Sequence, residues 1–572
     1  MVNLENAGKV ITTDVLVIGG GIGGLTAALR AREQDVDVLI VDKANVGFAG
    51  MPSRAGNGIL TLKKDSDIDE YVGYLVKNLG VYLTDQDAQT QLAQVNYEAH
   101  HKVMDWGVKI TTDENGEIGF FPNPCAPWYN SGIELNCTET LRKTALKNGI
   151  KIQNNVQITA LIKSGDVVCG AVGYHIIDGT FYIFRAKAVI TACAACGFRT
   201  IRMFNGRGEG VKLAWDAGAQ MRNAEYGNFV EIVSDVLGES IYGTQTIVYN
   251  QKGENVWDKY VKWPAPDVCI EMILGIEKEY REGNGPLYVD FSKMPEEWKV
   301  IGQSGGELMG MTRFFPDKLS WMGRCSSREH EYADLGAKPT VKTGLHGNSG
   351  PVRVDLDFKT TVDGLYVVGV DCCNGSGAFG AIPQPGGQRG SGLTFGITTG
   401  YIGGAKAAQY AKSVHQLPVP DVQDILQKKE EAFQCLNQED GVSAYELIDR
   451  IQDAVCPFDV CIRRSEKSLT GAIEKIESIK ADLPKMKAKD YHELMVCNET
   501  KAMALVAELM LRSALERKES RGFHYREDYP EIDNKNWLKW TVADNVDGKV
   551  VISTEDIPME RYKFKPEGWE AN

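Results

Sequence analysis

An α/β fold is predicted by three features of the chain. Residues 14–42 run strand, glycine turn, helix, strand, acid. A second apolar strand ending in an acid, DGLYVVGVD at 363–371, precedes GSGLTFGITTGYIGGAKAAQYA at 390–411, where glycine and serine lead a small-residue helix. The texture changes elsewhere: strict alternation is lost from about Asn223 to Lys342, and from about Asp421 to Arg517 apolar residues recur every three to four positions. That pattern implies an α/β domain in two segments, an inserted domain and a helical bundle.

The first stretch carries the most chemistry. Val15 to Ile18 is an apolar, β-branched run, and Gly19, Gly21 and Gly24 follow at G-x-G-x-x-G spacing. Leu25 to Arg32 is helical, and Val36 to Val41 is a second apolar run closed by Asp42. Glycines at those positions let backbone N–H groups approach a pyrophosphate at a helix N-terminus, where the dipole favours anions. Asp42 is placed for the hydroxyls of an adenosine ribose, with Lys43 beside it. A lone glycine triad is weak; with both strands and the acid in register it predicts a Rossmann-like dinucleotide site.

Composition narrows the function. The 572 residues suffice for about three or four domains. A formal net charge of −14 argues against nucleic acid or an anionic membrane surface as the main partner and leaves a small-molecule substrate. Thirteen cysteines are scattered without a secreted-scaffold rhythm, and MVNLENAGKVITTD lacks a signal-peptide pattern. No run of about 18 apolar residues is present. A reducing, cytoplasmic setting is the expectation.

The elements follow in order. The loop VGFAGMPSRAGNGIL after Asp42 is rich in small residues and suits close packing beside a cofactor. Residues 66–150 read as largely helical. The segment from Lys163 alternates around Gly165-Asp166 and Asp178-Gly179 as a β-meander and ends in AVITACAACG, a strand able to rejoin the parallel sheet. Domain boundaries are expected at 1–222 and 343–415 for the two cofactor-domain segments, 223–342 for the insertion, 416–520 for the helical domain and 521–572 for an irregular tail.

Several motifs then line up in one order: VIGGGIGG, TACAACG, GRGEGVKLAWDAGAQMRNAEYGNF, DGLYVVGVD, GGQRGSGLTFGITTG and ESRGFHYREDYPEIDNKNWLKW. This order resembles the flavoprotein subunits of succinate dehydrogenase and fumarate reductase, with L-aspartate oxidase and the adenylylsulfate reductase alpha subunit, over nearly the whole chain. The resemblance implies an FAD-binding domain, a capping domain, and a helical domain that often docks an iron–sulfur partner subunit. It implies two-electron chemistry at flavin N5. It places Gly19, Gly21 and Gly24 at the pyrophosphate and Asp42 at the ribose. Ser53, Arg54, Ala55, Gly56 and Gly58 would run beside the isoalloxazine, Val156 near the adenine, and Asp371 at the ribityl or pyrophosphate region. Ser391, Gly392 and Leu393 would lie at the flavin N1/O2 edge.

The chain also departs from that family. Met51 stands where succinate dehydrogenases carry the histidine that bonds FAD, so FAD is expected to be non-covalent. Val230 replaces the histidine of the family's QFHPTG motif, Gln384 replaces a carboxylate-binding arginine, and Pro266 and Asp267 occupy the place of the proton-shuttling arginine. Glutamine does not reproduce a guanidinium clamp, so ordinary succinate or fumarate chemistry is not expected. His346 falls where the family keeps a substrate-facing histidine and is the candidate to donate a hydrogen bond or proton. Arg389 is a candidate cation near the flavin, and Arg313, Arg324 and Arg328 are candidate anion contacts. Cys193 and Cys196 read as buried small residues, no ferredoxin cysteine pattern is present, and no metal site is expected. Arg521, His524 and Arg526 read as a structural cluster, with a partner interface as the alternative.

Three functions fit. The first is a reductase or dehydrogenase acting on a conjugated C=C, carbonyl or quinone-like substrate. The second is an alpha subunit like that of adenylylsulfate reductase, with its chemistry at sulfur, which the segment ending GNGPLYVD resembles. The third is a non-enzymatic electron-relay flavoprotein. Oligomerisation is left open.

Overall fold

The computed structural model describes residues 4–48, 50, 52, 58–122, 126–200, 206–234, 245–262, 269–293, 338–372, 378–382 and 390–570. Met51, Ser53, Arg54, Ala55, Gly56, Pro266, Asp267, Arg313, Arg324, Arg328, Gln384 and Arg389 lie outside these residues.

A five-stranded parallel sheet organises the molecule. Its order is Leu365–Val367, Ala188–Thr191, Val15–Ile18, Val38–Val41, Lys151–Gln153. The three central strands are buried at every position, as a sheet covered on both faces requires. Two helices lie against one another beside it, Ile22–Arg32 and Ser391–Ser413. Their axes approach closely because glycines line the contact: a Cβ on Gly400 would meet the Gly23 carbonyl oxygen at 2.6 Å, and one on Gly404 the Ala27 carbonyl oxygen at 2.3 Å. The meander is the second sheet, Lys9–Thr12, Phe181–Arg185, Val167–His175, Val156–Ser164, with the turns at the Gly-Asp and Asp-Gly pairs.

The insertion has its own sheet and core. Asn228–Ser234 and Thr340–Asn348 run antiparallel, extended by Leu287–Val289 and Val248–Tyr249. Helices Val256–Tyr260 and Ile270–Arg281 pack beside it through Val256, Met272 and Ile276. The helical segment comprises Val422–Phe433, Ala444–Val455, Glu466–Asp482 and Tyr491–Glu516, each started by an Asp or Ser side chain that accepts a first-turn N–H.

Two readings of local structure change. Residues 66–150 are not only helical: Gly58–Thr61, Tyr129–Gly132 and Phe121–Pro122 form a small sheet. The final stretch is not irregular throughout. Lys539–Val546 and Lys549–Asp556 form a hairpin whose first strand pairs with Met221–Arg222. Asp547 and Gly548 both have positive φ (52° and 78°), the backbone a tight Asp-Gly hairpin turn demands. Among the described residues no helix is long and apolar enough to cross a membrane.

Candidate active site

The glycine fingerprint has no room to spare. Gly19 sits at φ 109°, and a Cβ on Gly24 would stand 1.9 Å from the Gly19 carbonyl oxygen. Gly21, by contrast, caps Ile22–Arg32 and has nothing within 4 Å of where its Cβ would be. Open space directly before a helix N-terminus is the shape a pyrophosphate needs. Asp42 closes the neighbouring strand: its carboxylate accepts from the Gly20 N–H (2.6 Å) and the Ala44 N–H (2.7 Å). Val156 begins the adjoining strand, and its N–H donates to the Asp42 carbonyl at 3.0 Å. Lys43 is committed elsewhere. Its ammonium bridges Glu209 (2.6 Å) and Glu499 (2.7 Å), and Glu499 also accepts from Arg199 (2.6 Å).

Asp371 lies at the end of the edge strand, fully buried. Its Oδ2 accepts the Cys193 N–H at 2.6 Å, and its Oδ1 is a buried atom with no partner among the described residues. Burial pushes this carboxyl up to about 8; the Cys193 N–H opposes the shift and the Glu209 charge adds to it. A Cβ on Gly210 would meet the carboxylate at 2.2 Å, so the G-x-G-E-G glycine makes its place. An orphaned acceptor in a closed site fits a ribityl hydroxyl donor. Ser391, Gly392 and Leu393 form the first turn of the helix capped by Gly390 at φ 79°. That cap lies on strand Gly58–Thr61, where a Cβ on Gly390 would meet Leu60 N at 2.8 Å, and Thr394 donates to the Leu60 carbonyl at 2.8 Å.

His346 is fully buried at a bulge: Phe229 pairs with Gly347 and Val230 with Leu345, leaving His346 as the extra residue. Bulges of this kind re-aim a side chain. The ring stands edge-on to Phe229, with centroids 5.0 Å apart. Asn348, two residues on, pairs with Cys196 of the turn that holds Asp371. Desolvation drives the imidazole down to about 3, so the ring is neutral at neutral pH. Val230 packs with Leu345 in the main apolar core.

Two contributors were not singled out from sequence. Glu209 completes the Lys43 pair, and only its place in the G-x-G-E-G motif marked it. The Cys193 backbone N–H carries no side-chain signal. His100 lies buried with Nε2 3.4 Å from Thr394 Oγ1. Cys193 and Cys196 are free thiols pushed up by burial, Cys196 to about 12. No group of three His, Cys, Asp or Glu placed to hold a metal occurs among the described residues.

The late basic cluster is structural. Arg517 binds Glu225 (2.7 Å) and Glu519 (2.8 Å), all fully buried, and Arg521 holds Glu519 through two nitrogens. Arg464 reaches His524 Nδ1 at 2.6 Å, while His524 Nε2 lies 3.2 Å from the Arg517 carbonyl, which fits a neutral ring protonated at Nε2. Arg521 also donates to the Val81 carbonyl, and the Phe523 N–H donates to Ala381. The motif thus ties Val81 and Ala381 to the C-terminal segment, ahead of helix Ser391–Ser413.

A FAD binding domain model matches residues 14–386, and a fumarate reductase flavoprotein C-terminal model matches 453–569. The chain belongs to the fumarate reductase/succinate dehydrogenase flavoprotein family. It is 26% identical to the 8-methylmenaquinol:fumarate reductase flavoprotein subunit of Wolinella succinogenes, over 98% of this chain and 93% of that protein. It is 24% identical to L-aspartate oxidase of Streptomyces coelicolor, over 96% and 95%. In fold it is similar to E. coli quinol fumarate reductase (TM-score 0.79, 18% identity, 98% of both chains). It is also similar to adenylylsulfate reductase of Archaeoglobus fulgidus (TM-score 0.76, 20% identity, 96% of both chains). The protein is an FAD-dependent oxidoreductase. The loop from 43 to 60 contains no histidine, so the flavin is bound non-covalently.

Proposed function

We propose that this flavoprotein reduces or dehydrogenates a conjugated C=C, carbonyl-conjugated or quinone-like small molecule and is not a standard succinate or fumarate enzyme. FAD, when bound, supplies hydride transfer at N5. The residues proposed to hold it are Gly19, Gly21, Gly24, Asp42, Gly58, Val156, Asp371, Ser391, Gly392 and Leu393, with Ser53, Arg54, Ala55 and Gly56 in the adjoining loop and Lys43 acting through its carboxylate partners.

The observation that carries the reading is His346: a buried, neutral imidazole at a bulge, one strand from the turn that cradles Asp371. A neutral ring N–H polarises a carbonyl oxygen without needing a carboxylate partner on the substrate. Val230, turned into the apolar core, offers no hydrogen bond to a second carboxylate. Arg389 is the proposed cation near the flavin. The preference for a substrate with one polarisable oxygen follows from these groups. An iron–sulfur electron-transfer subunit is the proposed partner and the cytoplasm the proposed location. No observation favours action at sulfur over this reading.

The test is anaerobic reoxidation of the dithionite-reduced protein. An enone or a quinone is expected to restore the oxidised flavin spectrum faster than fumarate does, and His346→Gln to slow the enone while FAD content holds. Rapid reoxidation by fumarate, or an equal response of both variants to the enone, would sink the proposal.

A further inference from the structure

The C-terminal hairpin ends its sheet on an open edge. The strand order is Met221–Arg222, Lys539–Val546, Lys549–Asp556, so the last strand has a neighbour on one side only among the described residues. The two-residue turn at Asp547 and Gly548 makes Val546 and Lys549 the closing hydrogen-bonded pair. Pairing alternates from there. Lys549, Val551, Ser553 and Glu555 bond to the neighbouring strand, and Val550, Ile552 and Thr554 turn their N–H and C=O groups outward. Among the described residues no other backbone group bonds to those three. Proteins shield such an edge with a proline, a bulge, a short strand or a charge in its middle. This strand uses none of these. It is eight residues long in unbroken register, and its centre, VVIST, is uncharged and free of proline. Val550 and Ile552 pack towards the main core, while Val551, Ser553 and Thr554 are exposed. The charges lie at the ends. Lys549 is exposed at the first position, and Glu555 stands near the last, fixed by Arg353 on both carboxylate oxygens (2.8 and 3.0 Å).

We propose that two copies of this chain pair antiparallel along Lys549–Asp556 to form a two-fold dimer, joining two three-stranded sheets into one continuous sheet. One register satisfies both the backbone and the charges. With Ile552 opposite Ile552 on the two-fold axis, Val550 faces Thr554, and these outward groups exchange hydrogen bonds. Val551 then faces Ser553, and Lys549 faces Glu555. Those two pairs occupy the closer, non-hydrogen-bonded positions, where opposite charges stabilise a sheet most directly. A slip of one residue sets outward groups against residues whose N–H and C=O are already used within the hairpin. The contact is isologous, so the lysine–glutamate pair forms at both ends.

The experiment measures the mass of the FAD-loaded full-length protein by light scattering across a concentration series. A mass rising from that of one chain towards that of two is expected. Lys549→Glu sets like charges opposite one another at both ends and is expected to weaken the dimer roughly 5- to 30-fold. Thr554→Pro removes an outward N–H that the hairpin does not use and is expected to leave single chains. Both variants should retain FAD. Carbodiimide treatment of a mixture of heavy-nitrogen-labelled and unlabelled protein should give a Lys549–Glu555 link that carries both labels. Within one strand the two residues are about 20 Å apart, too far for a direct bond. A single-chain mass at every concentration, with the edge left to a different protein, would overturn the proposal. So would a dimer that both variants leave intact. If Thr554→Pro fails to fold, Lys549→Glu and the mixed link decide.

Discussion

Replacing Asp371 with asparagine is expected to stabilise the cofactor-free protein and to weaken FAD binding. The carboxyl is raised from 3.8 to about 8, chiefly by burial. Between those values the native state keeps a proton that the unfolded chain releases, so this group's stabilising contribution is full below about pH 4 and is lost as pH rises toward 8. At about 1.4 kcal/mol per pH unit, the loss by pH 7 is on the order of 4 kcal/mol. Asparagine does not ionise and still offers an oxygen to the Cys193 N–H. Cofactor-free Asp371→Asn is therefore expected to melt above the parent at pH 7, with the difference closing near pH 4. The opposite sign applies to FAD. Oδ1 is buried without a partner among the described residues; it keeps a lone pair for a hydroxyl donor whether or not it carries the carboxyl proton, and an amide NH2 in its place does not. One lost hydrogen bond, about 1–2 kcal/mol, weakens FAD by roughly 5- to 30-fold. Thermal melts from about pH 4 to 8.5, with FAD titrations by fluorescence quenching, read both effects. A variant destabilised equally at every pH, or one that binds FAD as tightly as the parent, would refute the reasoning.

Three further substitutions follow from the geometry. Gly24→Ala puts a methyl 1.9 Å from the Gly19 oxygen; a loss of about 1–3 kcal/mol and most bound flavin is expected, read by melting and by the 450-nm-region absorbance of the purified protein. His346 is held near 3 by desolvation. The kcat/KM profile of the parent should therefore show no limb from its titration between about pH 5 and 8, and a bell limb abolished by His346→Gln would contradict the neutral ring. Arg517→Met leaves Glu225 buried without its cation, while Glu519 keeps Arg521; a destabilisation of about 3–5 kcal/mol is expected in chemical denaturation, and a change under about 1 kcal/mol would remove the cluster from the account of stability.

What was legible in the sequence depended on how local the physics is. The strand, the glycines, the helix and Asp42 follow one another within thirty residues, so their spacing states their geometry directly. The hairpin ended by Asp547 and Gly548 was as local, and the Asp-Gly pair between alternating valines signalled it, but the surrounding acidic and aromatic residues masked the alternation. Lys43 was different in kind. Its neighbours in sequence point to the cofactor, yet its charge is satisfied by Glu499, 456 residues away. Nothing in the local pattern reports a partner at that separation, and a lysine beside a ribose acid reads as a ligand contact until its carboxylates are located.

The same distinction explains the two titratable groups at the centre of the site. Sequence placed Asp371 at a strand end and His346 near the substrate, as a donor of a hydrogen bond or proton. Burial sets the charge of both. Among the described residues Asp371 faces a backbone N–H from a turn 178 residues earlier and no cation, and His346 is enclosed beside Phe229 at a bulge. Each is consequently uncharged at neutral pH. Among the described residues, the proposed site brings together a neutral acid, a neutral imidazole and two helix N-termini, whose hydrogen bonds and dipoles would act beside the proposed cation Arg389. Such a site stabilises negative charge as it develops on a substrate oxygen more than it binds a dianion at rest. The proposed substrate accordingly presents one polarisable oxygen to the neutral His346 ring.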